Sequence, residues 1–210
     1  MLAAAQPWVR TGIPVPRPDP HIAPPSAASP WIRRYAHLIA PAAPVLDLAC
    51  GGGRHARFLA RRGHPVLAVD RDPLALATLA GEPGVTTLQR DLETGPWPLG
   101  QGRYGAVIVT RYLHRPIMAA LVAAVADDGV LLYDTFAQGN EAFGKPSNPD
   151  FLLRESELLD WVSPGLRIVA FEQGREQVGE QGRVVQRIAA VGRGRAWPPL
   201  LSGGLAPGNP

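Results

Sequence analysis

Apolar positions along this chain follow two rhythms that alternate with each other. Short apolar runs at Val45–Leu48 and at residues 66–69, 85–88, 106–110 and 130–133 have the length and β-branched content of strands. Between them, apolar residues recur at spacings of three and four, the period of a helix with one buried side. Ser29-Pro30 predicts a helix start, with serine as N-cap and proline in the first turn. Trp31, Tyr35, Leu38 and Ile39 carry that helix until Pro41 and Pro44 end it. Residues 54–62 predict a second helix that turns Phe58 and Leu59 inward and closes at Gly63. A third is expected over 73–80, and a fourth over 116–126 with its stop at Asp127-Asp128-Gly129. Regular alternation of this kind predicts an α/β domain, a parallel sheet with helices on both faces.

The last third breaks the rhythm. Residues 135–151 predict no element, and a stretch of that length suggests a functional loop. A short helix over 155–161 precedes two strands, 167–171 and 183–191, joined by a polar, glycine-containing connection. Neighbouring strands without a crossover helix are expected to pair antiparallel. Residues 1–29 read as a Pro/Ala-rich arm that Trp8 tacks onto the domain, and 192–210 as a loose Gly/Pro-rich tail. Residues 30–191 remain as one domain, and no internal repeat is visible.

Composition narrows the class. A chain of 210 residues, 46% apolar and 19% charged, is large enough to bury a core without disulfides. Cys50 is the only cysteine, which excludes an internal disulfide or a cysteine-based metal site, and no metal is expected. This fits a reducing, cytoplasmic compartment. The opening apolar run is too short for a signal peptide and no stretch approaches a membrane span. The net charge of +3 comes from scattered arginines, with Lys145 the sole lysine, and reads as compositional bias more than as a nucleic-acid footprint.

The candidate chemistry begins at Val45-Leu46-Asp47-Leu48-Ala49-Cys50-Gly51-Gly52-Gly53. It is a buried strand carrying a carboxylate, then a glycine turn, then a helix. Such a turn presents bare backbone N–H groups to a ligand. About twenty residues on, Asp70 ends the next strand, where a ribose-hydroxyl acceptor is expected. Together these point to an adenosine-containing cofactor. Gly51-Gly52-Gly53-Arg54-His55-Ala56 also fits the dinucleotide pattern G-x-G-x-x-A, so an NAD(P)-dependent oxidoreductase is one reading. Against it, Asp47 would repel a pyrophosphate, no Tyr-x-x-x-Lys pair follows, and an antiparallel hairpin does not belong to the doubly wound dinucleotide fold. S-adenosylmethionine fits better: its ammonium suits Asp47, its ribose diol Asp70, and its adenine amino group a side chain such as Asp91.

At these residues the chain resembles the class I SAM-dependent methyltransferases, from about Trp31 to Val191. Val45 to Gly53 is similar to their first motif, with Ala49 in place of the usual first glycine, and Val69-Asp70 is similar to the second. The resemblance implies a Rossmann-like, seven-stranded, mostly parallel sheet with helices on both faces and an antiparallel last strand. It implies S-adenosyl-L-methionine held by Asp47, Ala49, Cys50, Gly51, Gly53, Asp70, Arg71, Asp91 and Leu92. Cys50 is expected as a small filler beside the cofactor rather than a nucleophile. Arg111-Tyr112-Leu113-His114-Arg115 loosely resembles the small tellurite-resistance-type methyltransferases.

Methyl transfer from a sulfonium is chiefly a matter of alignment, and a base is needed only for a protonated nucleophile. His114 is the candidate base, with Arg111, Tyr112 and Arg115 placed to orient an anionic or planar acceptor. The chain lacks an Asn/Asp-Pro-Pro-Tyr/Phe signature and a C5-methylation cysteine, which leaves a small molecule as the expected acceptor, ahead of RNA or protein. A non-catalytic SAM-binding protein is the remaining alternative, and the chain is expected as a monomer or homodimer away from membranes.

Overall fold

In the computed structural model, which describes residues 27–178 and 181–201, the apolar runs form the strands of one sheet. These are β1 (Val45–Leu48), β2 (Val66–Asp70), β3 (Val85–Gln89), β4 (Tyr104–Thr110), β5 (Val125–Phe136), β6 (Arg167–Val178) and β7 (Gln181–Val191). Their order is β3-β2-β1-β4-β5-β7-β6. The first five pair in parallel, and β7 runs antiparallel to both β5 and β6. The sheet is thus seven-stranded, with only the last strand in sequence reversed.

Among the described residues five short α-helices flank it: α1 (Pro30–Tyr35), α2 (Arg54–Ala60), α3 (Pro73–Ala77), α4 (Met118–Ala123) and α5 (Glu157–Val162). Alternation along the strands sorts the core into two layers. Leu46, Leu48, Val107, Val109, Leu131 and Tyr133 pack with Met118 and Leu121 of α4 and Leu158 and Val162 of α5. Val45, Ala106, Ile108, Val130 and Leu132 pack with Trp31 and Ile32 of α1, Ala56 and Leu59 of α2 and Leu76 of α3. Each such buried aliphatic side chain stabilises the fold by roughly 1.5–3 kcal/mol. No helix among the described residues is long and apolar enough to cross a membrane.

Several expectations are corrected. The helix expected over 116–126 begins as a single tight turn, Arg115–Ile117, continues as α4 and ends at Ala123. Asp127-Asp128-Gly129 is not its stop but a bulge within β5, because Tyr104 pairs with Val125 and the register resumes at Ala106 with Val130. The chain after β7 docks on this bulge, with the Gly192 and Gly194 N–H groups donating to the Gly129 and Asp127 carbonyls. A Cβ on Gly192 would come within 2.2 Å of the Asp127 oxygen, so only glycine fits there. Residues 192–195 are therefore held rather than loose.

The closing hairpin also extends further than its apolar pattern. Residues 172–177 are polar, and beyond the ladder with β7 ion pairs rather than burial hold them: Glu176 pairs with Arg183 and Arg187. Finally, the stretch 135–151 contains structure of its own. Thr135 and Phe136 complete β5, and two tight turns follow, Asn140–Ala142 and Pro149–Phe151. Of the arm expected over 1–29, the described part ends in Ser29, which is buried and caps α1 by accepting from the Trp31 N–H. Trp8 lies outside the described residues.

Candidate functional site

Parallel strands place their C-terminal ends along one edge, and this edge gathers the candidate residues. Ala49 follows β1, Asp70 ends β2, Arg111 follows β4, and Asp134 lies level with Thr110 within β5. A continuous crevice runs along them in three parts. One part, of about 230 Å³, is lined by Ala49, Asp70, Arg71, Asp91, Leu92 and Tyr112 among others. The next, of about 320 Å³, follows the glycine turn from Ala49 to Arg54 and meets Thr110 and Arg111. The third is a compact cavity of about 70 Å³ between Ser29, Arg54, Arg111, Asp134 and Arg183. Ala49 and Arg111 join the first part to the second; Arg54 and Arg111 join the second to the third.

The glycine turn has its form for steric reasons. Gly53 has φ +72, and a Cβ there would lie 2.4 Å from Leu79, so glycine lets the turn close onto the chain just after α3. Gly51 has φ +52, and a Cβ there would meet no atom within 4 Å, which leaves an open space above the backbone. Ala49, at φ +51, occupies the left-handed region that its glycine counterpart would enter without strain. Cys50 is buried, its thiol donates to the Gly51 carbonyl, and burial pushes its pKa up, consistent with a filler and not a nucleophile.

Asp47 is the anomaly behind the crevice: it lines none of the three parts and is enclosed beneath them. Alternation between Leu46 and Leu48 turns it toward the layer of α2, and only 1% of it is exposed. Neither carboxylate oxygen has a hydrogen-bond partner of good geometry. Burial pushes its pKa up to about 7, against the opposing pull of the Ala56 N–H and the Arg54 charge. A carboxylate left this way costs free energy unless a cationic partner joins it. Asp70, by contrast, is engaged: Oδ2 accepts from the Gly51 N–H at 2.7 Å and Oδ1 from the Asp72 N–H at 2.9 Å. Its carboxylate thereby ties the end of β2 to the glycine turn and keeps lone pairs for two hydroxyls. Asp91 accepts from the Glu93 N–H, while Arg71 pairs with Glu93 across the mouth of this part.

The residues expected on the acceptor side separate. Tyr112 lies in the first part, with Asp70 and Asp91, and its hydroxyl is buried without a partner. Burial, together with the Glu93 and Asp91 charges, pushes its pKa up. Arg115 is turned to another task. Its guanidinium holds Glu157 through two hydrogen bonds of 2.8 and 2.9 Å and donates to the Asp150 and Leu152 carbonyls. It thus straps the second tight turn and the residue after it onto α5. His114 is partly buried at the start of the turn before α4 and lines none of the three parts. The stretch 137–151 lines none of them either.

Residues without a short-range sequence signal complete the site. His55, 1% exposed, accepts from the Ser29 N–H at Nε2, 3.2 Å away, so its hydrogen sits on Nδ1, 3.3 Å from the Thr110 hydroxyl. Burial and the charges of Arg54 and Arg111 push its pKa down to about 3, which keeps it neutral. Ser29 also donates to Asp134 Oδ2 at 2.8 Å, and Arg187 donates to Asp134 Oδ1 at 2.9 Å. The start of α1, the end of β4 and β7 are thereby clamped around the third cavity. Arg111 was expected here from its place after a strand; Arg54, though it directly follows the glycines, was not singled out, and Arg183 and Arg187 sit on a strand far away in sequence.

Comparison with known proteins agrees with this architecture. Residues 45–127 match the model of a methyltransferase domain. An uncharacterised methyltransferase of Synechocystis sp. is 34% identical over 89 residues, 42% of this chain and 41% of that protein. Among solved structures, TehB from Haemophilus influenzae superposes with a TM-score of 0.65 at 19% identity, over 77% of this chain and 61% of that one. A Burkholderia thailandensis 1,6-didemethyltoxoflavin-N1-methyltransferase, solved with its acceptor and S-adenosylhomocysteine, superposes at 0.56 and 22% identity, over 76% of this chain and 75% of that one. The chain thus spans about two fifths of the Synechocystis relative's length, and the structural likenesses establish its fold.

Proposed function

We propose that this chain, which carries a methyltransferase domain on the class I fold, transfers a methyl group from S-adenosyl-L-methionine to a small-molecule acceptor. The observation that carries the reading is Asp47: a buried carboxylate with both oxygens unpartnered beneath an open glycine turn calls for a cationic group, and an α-ammonium supplies one. A pyrophosphate at the same turn would meet a like charge.

When bound, the cofactor supplies a methyl carbon already activated by its positive sulfonium leaving group. Asp47 takes the ammonium, the backbone from Ala49 to Gly53 supports the methionine portion, and Asp70 accepts the ribose hydroxyls. Arg71, Asp91, Leu92 and Tyr112 enclose the adenosine end. What the protein adds to the reaction is alignment and exclusion of water, and fixed alignment is worth effective molarities of ~10⁵ M or more. Because His114 lines no part of the crevice, no proton step is assigned to it. The compact third cavity receives the group to be methylated, and its size favours a small acceptor, as does the small-molecule acceptor of the Burkholderia relative.

Calorimetry tests this directly. S-adenosylhomocysteine is expected to bind and NAD(H) not to bind, and Asp70→Ala to weaken S-adenosylhomocysteine by at least ~100-fold, the scale of two lost hydrogen bonds to a charged group. Binding of NAD(H) alone would overturn the reading.

A further inference from the structure

The third cavity has a charge balance that the cofactor does not complete. Arg54, Arg111 and Arg183 line it together with a single carboxylate, Asp134. Asp134 is already engaged by Ser29 and Arg187. Arg183 pairs with Glu176, and Arg187 is shared among Asp134, Glu172 and Glu176. Arg54 and Arg111 make no side-chain hydrogen bond or ion pair among the described residues. Beneath them lies Asp47, which the cofactor's ammonium matches. The cofactor's own carboxylate offsets one positive charge at most, which leaves a second guanidinium unmatched in a half-enclosed space.

Two further observations point the same way. Arg111 holds φ +54, a strained conformation for a residue with a side chain, fixed by its N–H donating to the Asp134 carbonyl at 2.9 Å. Beyond Arg54 the cavity opens onto a basic wall that carries Arg33, Arg57, Arg61 and Arg62, of which Arg57 and Arg61 pair with Glu82. Burial lowers the Arg54 pKa, and the Arg111 and Arg183 charges lower it further, against the opposing pull of Asp134 and Asp47. Like charges held together this way repel each other at close range. An anion between them removes that repulsion, and the planar guanidinium fork suits carboxylate and phosphate equally.

Resting on the methyl-donor reading above, we propose that the acceptor carries an anionic group, carboxylate or phosphate, that seats on Arg54 and Arg111 in the cavity between the ends of β4 and β5 and the start of α1. The group also sets specificity, because a neutral analogue leaves two cations facing each other.

The full chain, saturated with S-adenosylhomocysteine, is titrated with inorganic phosphate in one arm and acetate in the other. Saturable binding in the millimolar range is expected in at least one arm. Phosphate alone identifies a phosphate-bearing acceptor, and acetate alone a carboxylate-bearing one. Arg111→Gln and Arg54→Gln are each expected to weaken the anion at least ~10-fold and S-adenosylhomocysteine far less, while Arg54→Lys retains part of the anion affinity. Two outcomes overturn the proposal: no saturable binding of either anion, or variants that lose S-adenosylhomocysteine and not the anion. If the wild type fails to bind S-adenosylhomocysteine, the donor reading falls by itself, and the same titrations on the free protein still decide the anion seat.

Discussion

The two halves of the sheet treat their polar groups in opposite ways. Along β5, β7 and β6, buried charge is matched: Asp134 lies between Ser29 and Arg187, Glu176 takes two arginines, and Glu157 takes Arg115 and the Arg154 N–H. Around the ends of β1 and β4, several polar groups stand without partners, although Asp70 at the end of β2 is engaged. Both Asp47 oxygens and the Tyr112 hydroxyl are buried and unsatisfied; the partly buried Arg54 and the exposed Arg111 beside them make no side-chain hydrogen bond or ion pair among the described residues. Buried polar groups are normally satisfied, so a run of exceptions along one crevice marks the place where another molecule completes the set. One half is finished as a structure; the other is finished by what it binds.

This contrast can be broken by substitution, and the paired half should give the largest change in stability. Arg115→Ala leaves Glu157 buried with one hydrogen bond and releases two carbonyls, so a loss of about 2–3 kcal/mol is expected in denaturant unfolding. S-adenosylhomocysteine affinity should change less than ~2-fold. A loss below ~0.5 kcal/mol would reduce the pair to an ordinary surface contact.

In the unpaired half the sign reverses. Asp47 has a folded pKa of about 7 against 3.8 for an ordinary aspartate, so between those values the fold keeps a proton that the unfolded chain has released. Stability of the free protein therefore falls as pH rises through this window, with the whole penalty present above it. Asp47→Asn should abolish that fall and leave the free protein more stable than wild type at alkaline pH, while weakening S-adenosylhomocysteine roughly 10-fold. In the wild type, that affinity should rise with pH as Asp47 ionises. Equal pH–stability curves for the two proteins would remove Asp47 from the account.

The smallest change is expected at Ala49→Gly. Relief of about 1 kcal/mol of left-handed strain is set against a similar gain in unfolded-chain entropy. Stability should stay within ~0.5 kcal/mol and S-adenosylhomocysteine affinity within ~2-fold. A tenfold loss of affinity would show the Ala49 methyl group packing on the cofactor.

Much of this molecule was legible in its one-dimensional pattern, and the exceptions share a cause. The positions of β1, β2 and β4 followed from apolar runs, and the cofactor residues from their places at strand ends. The polar arms of the β6–β7 hairpin escaped notice because ion pairs between distant residues stabilise them, and hydropathy does not register such pairs. The bulge at residues 126–129 reads as a helix stop in the sequence because Asp-Asp-Gly suits either one. Arg115 and Arg111 are four residues apart and alike in chemistry, yet one straps a loop and the other lines the cavity. Local sequence carries nothing that separates them.

By itself, then, the sequence determined the sheet, the glycine turn and the acids beside it, because backbone geometry and strand burial are encoded in short spacings. Tertiary structure alone decided which charges are spent and which are left over. That depends on β7 returning antiparallel to bring Arg183 and Arg187 beside Asp134, and on Ser29 reaching across to His55. The orphaned Asp47 and the two unmatched guanidiniums are products of that assembly, and they carry the functional argument.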